Sequence, residues 1–230
     1  YRNLVYNAPS GGPLKFADTP AGVYVYQNTF AGGDTSPGGP AANAHLRNNL
    51  FLGTGSQRAV FQLDTSTNYS TSDYNGFGAN AGANNFAWNS PPDTVLADYD
   101  YTHKLTVRRF PSLKDYAAAT GQDRHSVMLD YKVFVNVPRP DASDPQRLYN
   151  PEDMDFRLRP RSAAIDAGTL LPTINDGYAG KAPDLGAYEF GQPLPDYGPR
   201  LLPTGISAPE DVGYRSWNGP PRPDLHLLPR

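Results

Sequence analysis

Two short stretches of the chain carry the same alternation of apolar and polar positions. "VYVYQNTFAGG" (23–33) and "AHLRNNLFLGTG" (44–55) overlay on their asparagines, placing Asn28 on Asn49, Phe30 on Phe51 and Gly32 on Gly53. The same frame finds "YRNLVYN" near the start, with Asn3 and Val5, and "DYNGFG" further on, with Asn75 and Phe77. The four asparagines stand 25, 21 and 26 residues apart, and self-similarity at such a period marks a solenoid. In Val23-Tyr24-Val25-Tyr26 and Ala44-His45-Leu46-Arg47 the alternation is that of a strand with one buried face. A helical repeat needs apolar residues three and four apart over ten or more positions, and no unit supplies them. Turns of ~22 to 26 residues, with short strands broken by Asn and Gly, predict a parallel β-helix. Asn at the same place in each turn suits a sharp bend, since its side chain tolerates left-handed backbone angles and can hydrogen-bond its neighbours. Phe30, Phe51 and Phe77, two residues on, are expected to stack in the interior.

Beyond the fourth unit the pattern changes. "FAWNSPPDTVLADYDY" (86–101) reads as a loop-rich insertion, followed by a strand-like "HKLTVRRF" (103–110). "PSLKDYAAATGQD" predicts one short helix, with Ser112 as N-cap, Asp115 in a capping-box-like position and Gly121 as the stop. "HSVMLDYKVFVNV" (125–137) returns to strand-like residues, and 139–151 is a polar, Pro-rich surface excursion. "DMDFRLRPRSAAIDAG" and "APDLGAYEFG" are expected to form closing coils and their turns. The domain division expected is 1–190 as β-helix coils with loop insertions and 191–230 as an extended Pro-rich tail.

Composition narrows this picture. Charged residues are 19% of the chain, while Gly (22) and Pro (24) are abundant, as many turns and few long helices require. A formal net charge of −3 gives no electrostatic footprint for nucleic acid. No apolar run approaches ~18 residues, so no membrane-spanning helix is expected. There are no cysteines, which removes disulfide and thiolate chemistry. The chain opens on Tyr1 inside a repeat unit, without a polar cap or a visible signal peptide. The expectation is a carboxy-terminal portion of a longer solenoid, whose missing coils hold some or all of an active site.

"DFRLRPRSAAIDAG" (155–168) followed by "PDLGAYEFG" (183–191) resembles the ending of secreted bacterial right-handed parallel β-helix proteins, the pectate-lyase-like group. Those chains often carry "DFRL-x-x-x-SPAIDAG" and then "DIGAYE"; Ala163 stands here where the family usually has Pro. "SLKDYAAATGQDRHSV" (112–127) and the "DYKVF" after it are similar to the segment preceding that ending. The resemblance implies an all-β, right-handed parallel β-helix, secreted to the extracellular space or cell surface and acting on polysaccharide. Members include lyases, glycosidases and proteins without assigned role, so activity has to come from the residues.

If Val23, Val25, Ala44 and Leu46 face inward, Tyr24 and His45 share one outward column. Tyr1, Tyr26, Arg47 and Asp73, each two before a repeat asparagine, share another. Coils stack ~4.8 Å apart, so the columns make a patch suited to an extended glycan. Tyr1, Tyr24 and Tyr26 offer faces for sugar rings, Arg47 can pair with a uronate carboxylate, and His45 can move a proton. A lyase needs a base beside the carboxylate and a group to stabilise the enolate-like charge. His45, Arg47 and Asp73 are the catalytic candidates, with Lys15, Arg58 and Asp64 behind them. An ordinary solvated sheet face offers the same residue types.

Ca²⁺ is a candidate cofactor, though no metal-ligand motif is present. Asp93, Asp98 and Asp100 read as a solvated loop, and His103, His125 and His226 are too scattered to hold zinc. A hydrolase needs two carboxylates roughly 5 to 10 Å apart. The glutamates are Glu152, Glu189 and Glu210, and the carboxylates Asp166, Asp176 and Asp184 stand beside glycines as turn formers. Trp88 and Trp217 read as buried anchors, and the Asn68 sequon is a chance match. Three classes stay open: part of a secreted polysaccharide lyase or glycoside hydrolase, a structural or adhesive module self-associating through open coil ends and the tail, or a non-catalytic glycan-binding module.

Overall fold

The computed structural model describes residues 1–8, 12–16, 20–33, 41, 43–65, 69–90 and 106–195. Asn68, Asp93, Asp98, Asp100, His103, Glu210, Trp217, His226 and the tail beyond residue 195 lie outside the described residues. The elements in chain order are β1 (Leu4–Tyr6), β2 (Val23–Tyr26), β3 (Thr29–Ala31), β4 (Ala44–Arg47), β5 (Leu50–Leu52), β6 (Phe61–Asp64), β7 (Thr71–Asp73), β8 (Gly76–Gly78), β9 (Phe86–Ser90) and β10 (Thr106–Phe110). After these come α1 (Leu113–Thr120), β11 (Val127–Met128), β12 (Phe134–Asn136) and β13 (Asp155–Leu158). The protein is thus all-β, with a single short α-helix among the described residues and sheets that are mostly parallel.

Parallel pairing joins each repeat unit to the next. One sheet has the order β1-β3-β5-β8-β11 and a second the order β2-β4-β7. In the third, β6 and β9 are parallel and β10 adds to β9 in antiparallel fashion. The register matches the sequence overlay, with Phe30 opposite Phe51 and Phe51 opposite Phe77. Their rings stack at centroid separations of 5.4 and 5.6 Å, an offset arrangement that aromatic quadrupoles favour. Phe61, Phe86, Trp88 and Tyr116 complete this interior and are all fully buried. Phe86–Ser90 is a strand, where the sequence suggested a loop: its alternation of Phe86 and Trp88 carries it into the interior. Trp88 is anchored there, donating from Nε1 to the Thr65 carbonyl at 2.8 Å.

The repeat asparagines hydrogen-bond their neighbours as expected, but they do not themselves take the left-handed backbone. It is the residue before each of them, Arg2, Gln27, Asn48 or Tyr74, that takes the left-handed conformation, with φ between 51° and 58°. The asparagine itself is a hydrogen-bond splice between units. Asn28 Oδ1 accepts both the backbone N–H and the Nδ2 of Asn3, Asn49 Oδ1 accepts both from Asn28, and Asn75 Oδ1 both from Asn49, all at 2.9–3.0 Å. Asn49 and Asn75 are wholly buried, so this ladder satisfies groups that water cannot reach. It ends on a carboxylate: Asn75 Nδ2 donates to Asp123 Oδ1 at 3.0 Å, and Ser126 Oγ donates to the same oxygen at 2.6 Å. Asp123 is 1% exposed, and its Oδ2 and the Tyr116 hydroxyl lack hydrogen-bond partners. Burial pushes the Asp123 carboxyl above its usual range, against hydrogen bonds from Asn75, Ser126 and Ser72.

Between β10 and β11 the helix forms as the capping residues dictate. Ser112 Oγ accepts the Asp115 N–H at 3.1 Å, and Gly121 adopts φ 73° while donating to the Ala117 carbonyl. The closing segment forms no further parallel rung. It packs instead on the outer face of β3 and β5, where Ala31, Leu50 and Leu52 meet Tyr131, Val133, Phe134, Leu158, Ala164 and Leu185 in a second core. Asn48 and Thr169 exchange two hydrogen bonds at 2.7 and 2.8 Å, and Ala187 N–H donates to Thr29 Oγ1 at 3.0 Å. The unbroken apolar run of β5, Leu-Phe-Leu, follows from burial on both faces. Gly76 permits the close approach, since a Cβ there would lie 2.4 Å from Leu129 Cδ1 and 2.7 Å from Leu50 Cδ2.

Candidate functional site

The sheet β2-β4-β7 turns Val25, Ala44, Leu46 and Ser72 inward, all buried, and leaves the alternate positions outside. Register then fixes two outward columns. Tyr24 lies opposite His45 and His45 opposite Thr71; Tyr26 lies opposite Arg47 and Arg47 opposite Asp73. The structure therefore brings Tyr24, Tyr26, His45, Arg47 and Asp73 onto one face. Tyr1 precedes β1 and belongs to no strand of this sheet, but the next residue, Arg2, donates its backbone N–H to the Tyr26 carbonyl at 3.2 Å, as Gln27 does to that of Arg47, so Tyr1 stands at the Tyr26 end of the face.

The first column is aromatic. Tyr24, 69% exposed, stacks on the His45 ring at 5.3 Å and tilts against Tyr26 at 5.7 Å. His45 Nδ1 sits 2.8 Å from Thr71 Oγ1. Desolvation, and then the neighbouring Arg47 charge, hold the His45 imidazole below its usual pKa, so it is neutral at pH 7. Desolvation raises the Tyr26 phenol against the pull of Arg47, with Tyr24 adding to the rise, and the phenol keeps its proton. Arg47 Nη1 donates to the carbonyl of Leu46 at 2.8 Å.

Asp73 is not a free carboxylate. Its Oδ1 accepts the backbone N–H of Tyr74 at 2.9 Å and of His125 at 2.7 Å, while its Oδ2 lies 2.7 Å from His125 Nδ1. The His125 ring stacks on Tyr74 at 4.8 Å, nearly parallel at 12°. This histidine was among the scattered ones in the sequence, yet "HSVM" (125–128) sits in register with "YNGF" (74–77), since Val127 pairs with Gly76. Ser126 takes the place of the asparagine, and its Oγ accepts the Asn75 N–H at 2.8 Å. Overlaying those two tetrapeptides would have found His125.

The remaining candidates do not join the face. Asp64 ends β6 in another sheet and accepts from Asn89 Nδ2 at 2.6 Å; burial raises its pKa. Lys15 lies between β1 and β2, and Arg58 precedes β6. Glu152 is exposed on a 3-10 turn. The carboxylates of the ending hold backbone N–H groups: Asp166 those of Lys181 and Ala182, Asp176 that of Thr173, Asp184 those of Asp166 and Phe190, Glu189 those of Ala179 and Asp184. Desolvation pushes Glu189 up to about 6, with the Asp184 charge adding to it and backbone donors and Arg2 opposing.

Among the described residues no group of three acidic, imidazole or thiol side chains is placed to hold a metal ion. No helix there is long and apolar enough to cross a membrane. No protein-family model matches the chain, and no curated protein or solved structure matches it either.

Proposed function

We propose that the chain is a module of a secreted right-handed parallel β-helix protein that binds an extended, uronate-containing polysaccharide, as part of a polysaccharide lyase. Two parallel sheets and the parallel β6–β9 pair of a third, in which successive units pair, support the β-helix, and the strong right-handed preference of parallel crossovers supports its hand. The motif "DFRLRPRSAAIDAG" supports the kinship and, with it, export from the cell.

The observation that carries the function is the in-register face itself: Tyr24 stacked on His45 beside Tyr26, Arg47 and Asp73. Rungs ~4.8 Å apart present these groups along a line, which fits a polymer. Tyrosine rings stack on sugar faces, and the Arg47 guanidinium matches a carboxylate in bidentate geometry. The lyase is favoured over the hydrolase because the carboxylates of the closing segment are spent on backbone N–H groups.

The test is incubation of the purified chain, with and without Ca²⁺, against uronate-containing and neutral polysaccharides, with calorimetry for binding. Absorbance of the unsaturated uronate and new reducing ends are followed together. Binding of uronate polymers is expected to weaken about 10- to 100-fold in Arg47→Ala, from the ~1.5–3 kcal/mol of a charge-assisted hydrogen bond. Equal affinity for neutral and uronate polymers, or no effect of Arg47→Ala, would sink the proposal. Release of reducing ends without absorbance would make the protein a hydrolase.

A further inference from the structure

The geometry points to His125 as the proton acceptor of this face, held in its working tautomer by Asp73; this rests on the uronate-lyase proposal above. Asp73 Oδ1 is occupied by two backbone N–H groups, those of Tyr74 and His125, so its Oδ2 alone meets the imidazole. A carboxylate oxygen at 2.7 Å accepts a hydrogen bond from Nδ1–H, which keeps the proton on Nδ1 and leaves the lone pair of the neutral ring on Nε2. His125 Nε2 has no partner among the described residues, and the side chain is 60% exposed. Stacking on Tyr74 from one side fixes the plane of the ring. A base with a fixed tautomer, a fixed plane and an open nitrogen stands at the same end of the face as Arg47, whose position pairs with Asp73.

The reaction this arrangement performs is elimination across C4 and C5 of a uronate unit. Arg47 holds the carboxylate and stabilises the negative charge that develops on it. His125 Nε2 removes the C5 proton, the electrons form the C4–C5 double bond, and the C4–O4 bond breaks. O4 leaves with a proton from water or from Tyr26, whose phenol is protonated and is then reprotonated by solvent; the proton on Nε2 returns to solvent. No oxidant or reductant enters. His125 and Arg47 are then the catalytic residues and Asp73 a positioning residue.

Asp73→Asn tests the arrangement without removing its anchors. The amide oxygen keeps both backbone N–H groups, and the amide nitrogen then faces Nδ1 as a donor, which forces the proton to Nε2. Long-range ¹H–¹⁵N spectra of the whole chain at alkaline pH read the tautomer directly. Expected is an Nδ1–H ring for His125 in the parent protein and an Nε2–H ring in Asp73→Asn. Elimination from oligogalacturonate, oligomannuronate or oligoguluronate is expected to fall at least about 100-fold in Asp73→Asn and in His125→Gln, the contribution of a general base. Affinity for the same oligomer is expected to stay within about 3-fold. An Nε2–H ring in the parent protein overturns the inference, as does elimination at the parent rate in either variant. Binding by the parent without elimination overturns the inference alone; no binding to any uronate oligomer overturns the lyase proposal and the inference with it.

Discussion

Replacing Asn49 by alanine tests the ladder where it is most deeply buried. The side chain makes four hydrogen bonds: Oδ1 accepts from Asn28 N and Asn28 Nδ2 at 3.0 and 2.9 Å, and Nδ2 donates to the Val25 carbonyl at 2.8 Å and Asn75 Oδ1 at 2.9 Å. The losses are unequal. Asn28 Nδ2 keeps a bond to the Tyr26 carbonyl, and Asn75 Oδ1 keeps the Asn49 backbone N–H. The Asn28 backbone N–H keeps nothing in this group of bonds, and Asn28 is buried. One stranded buried donor costs about 1–3 kcal/mol, and each weakened partner adds up to about 1 kcal/mol. The expected loss is therefore about 3–5 kcal/mol, a large part of a typical folding free energy.

Urea unfolding followed by intrinsic fluorescence gives that loss from the midpoint and slope. Amide hydrogen exchange supplies the local readout, because Asn28 N–H should exchange faster than its neighbours in the variant. Asn49→Asp sharpens the comparison: it keeps an acceptor for Asn28 but sets a charged oxygen against the Val25 carbonyl and Asn75 Oδ1. At neutral pH it should be at least as unstable as the alanine variant. A loss under about 1 kcal/mol in Asn49→Ala, with Asn28 exchange unchanged, would refute the ladder as a source of stability.

At the end of the ladder, Asp123→Asn should raise stability by about 1–3 kcal/mol at pH 7–8, since the amide keeps an acceptor for Asn75 and offers a donor towards the Tyr116 hydroxyl without a buried charge. The sign follows from the raised folded-state pKa. Asp123 contributes its full stability below the ordinary value of 3.8 and loses it as pH rises through the folded value, so the gain in the variant should vanish on acidification; urea midpoints across pH would contradict this if the gain were larger in acid. Ser112→Ala removes the N-cap bond to Asp115 and should cost about 1 kcal/mol by the same assay, with no change meaning that the cap is dispensable. Gly76→Ala crowds Leu129 and Leu50 and should cost about 1–3 kcal/mol, a figure that thermal unfolding can check.

How much of this was legible depends on whether the relevant partner follows the repeat. The period-2 alternation placed Tyr24 beside His45 and Tyr26 beside Arg47, because strand faces and parallel register need only the sequence overlay. The Phe30, Phe51 and Phe77 stack was legible for the same reason. The rung of β11 was hidden, because Ser126 replaces the asparagine and stands 51 residues after Asn75 instead of some 25. The docking of the closing segment was beyond reach, since its partners Asn48 and Thr29 lie 121 and 158 residues away in sequence.

The asparagines show how a correct pattern can carry only half of its mechanism. Their recurrence suggests both hydrogen bonds to neighbouring units and a left-handed bend; the bonds form, while Arg2, Gln27, Asn48 and Tyr74 accept the left-handed conformation immediately before them. Non-glycine residues in that region are strained by about 1–2 kcal/mol each, and a strain repeated in every unit needs a repeated compensation. The amide supplies it, because only a side chain with both an acceptor and a donor can receive from the unit before and give to the unit after. Aspartate can only terminate such a series, which is where Asp123 stands. The same series sets the rung-to-rung register, and that register aligns Tyr26, Arg47 and Asp73 on the outer face. The buried ladder and the exposed columns are thus two sides of one constraint: a side chain that fixes the spacing inside also fixes the spacing of the groups presented on the outer face.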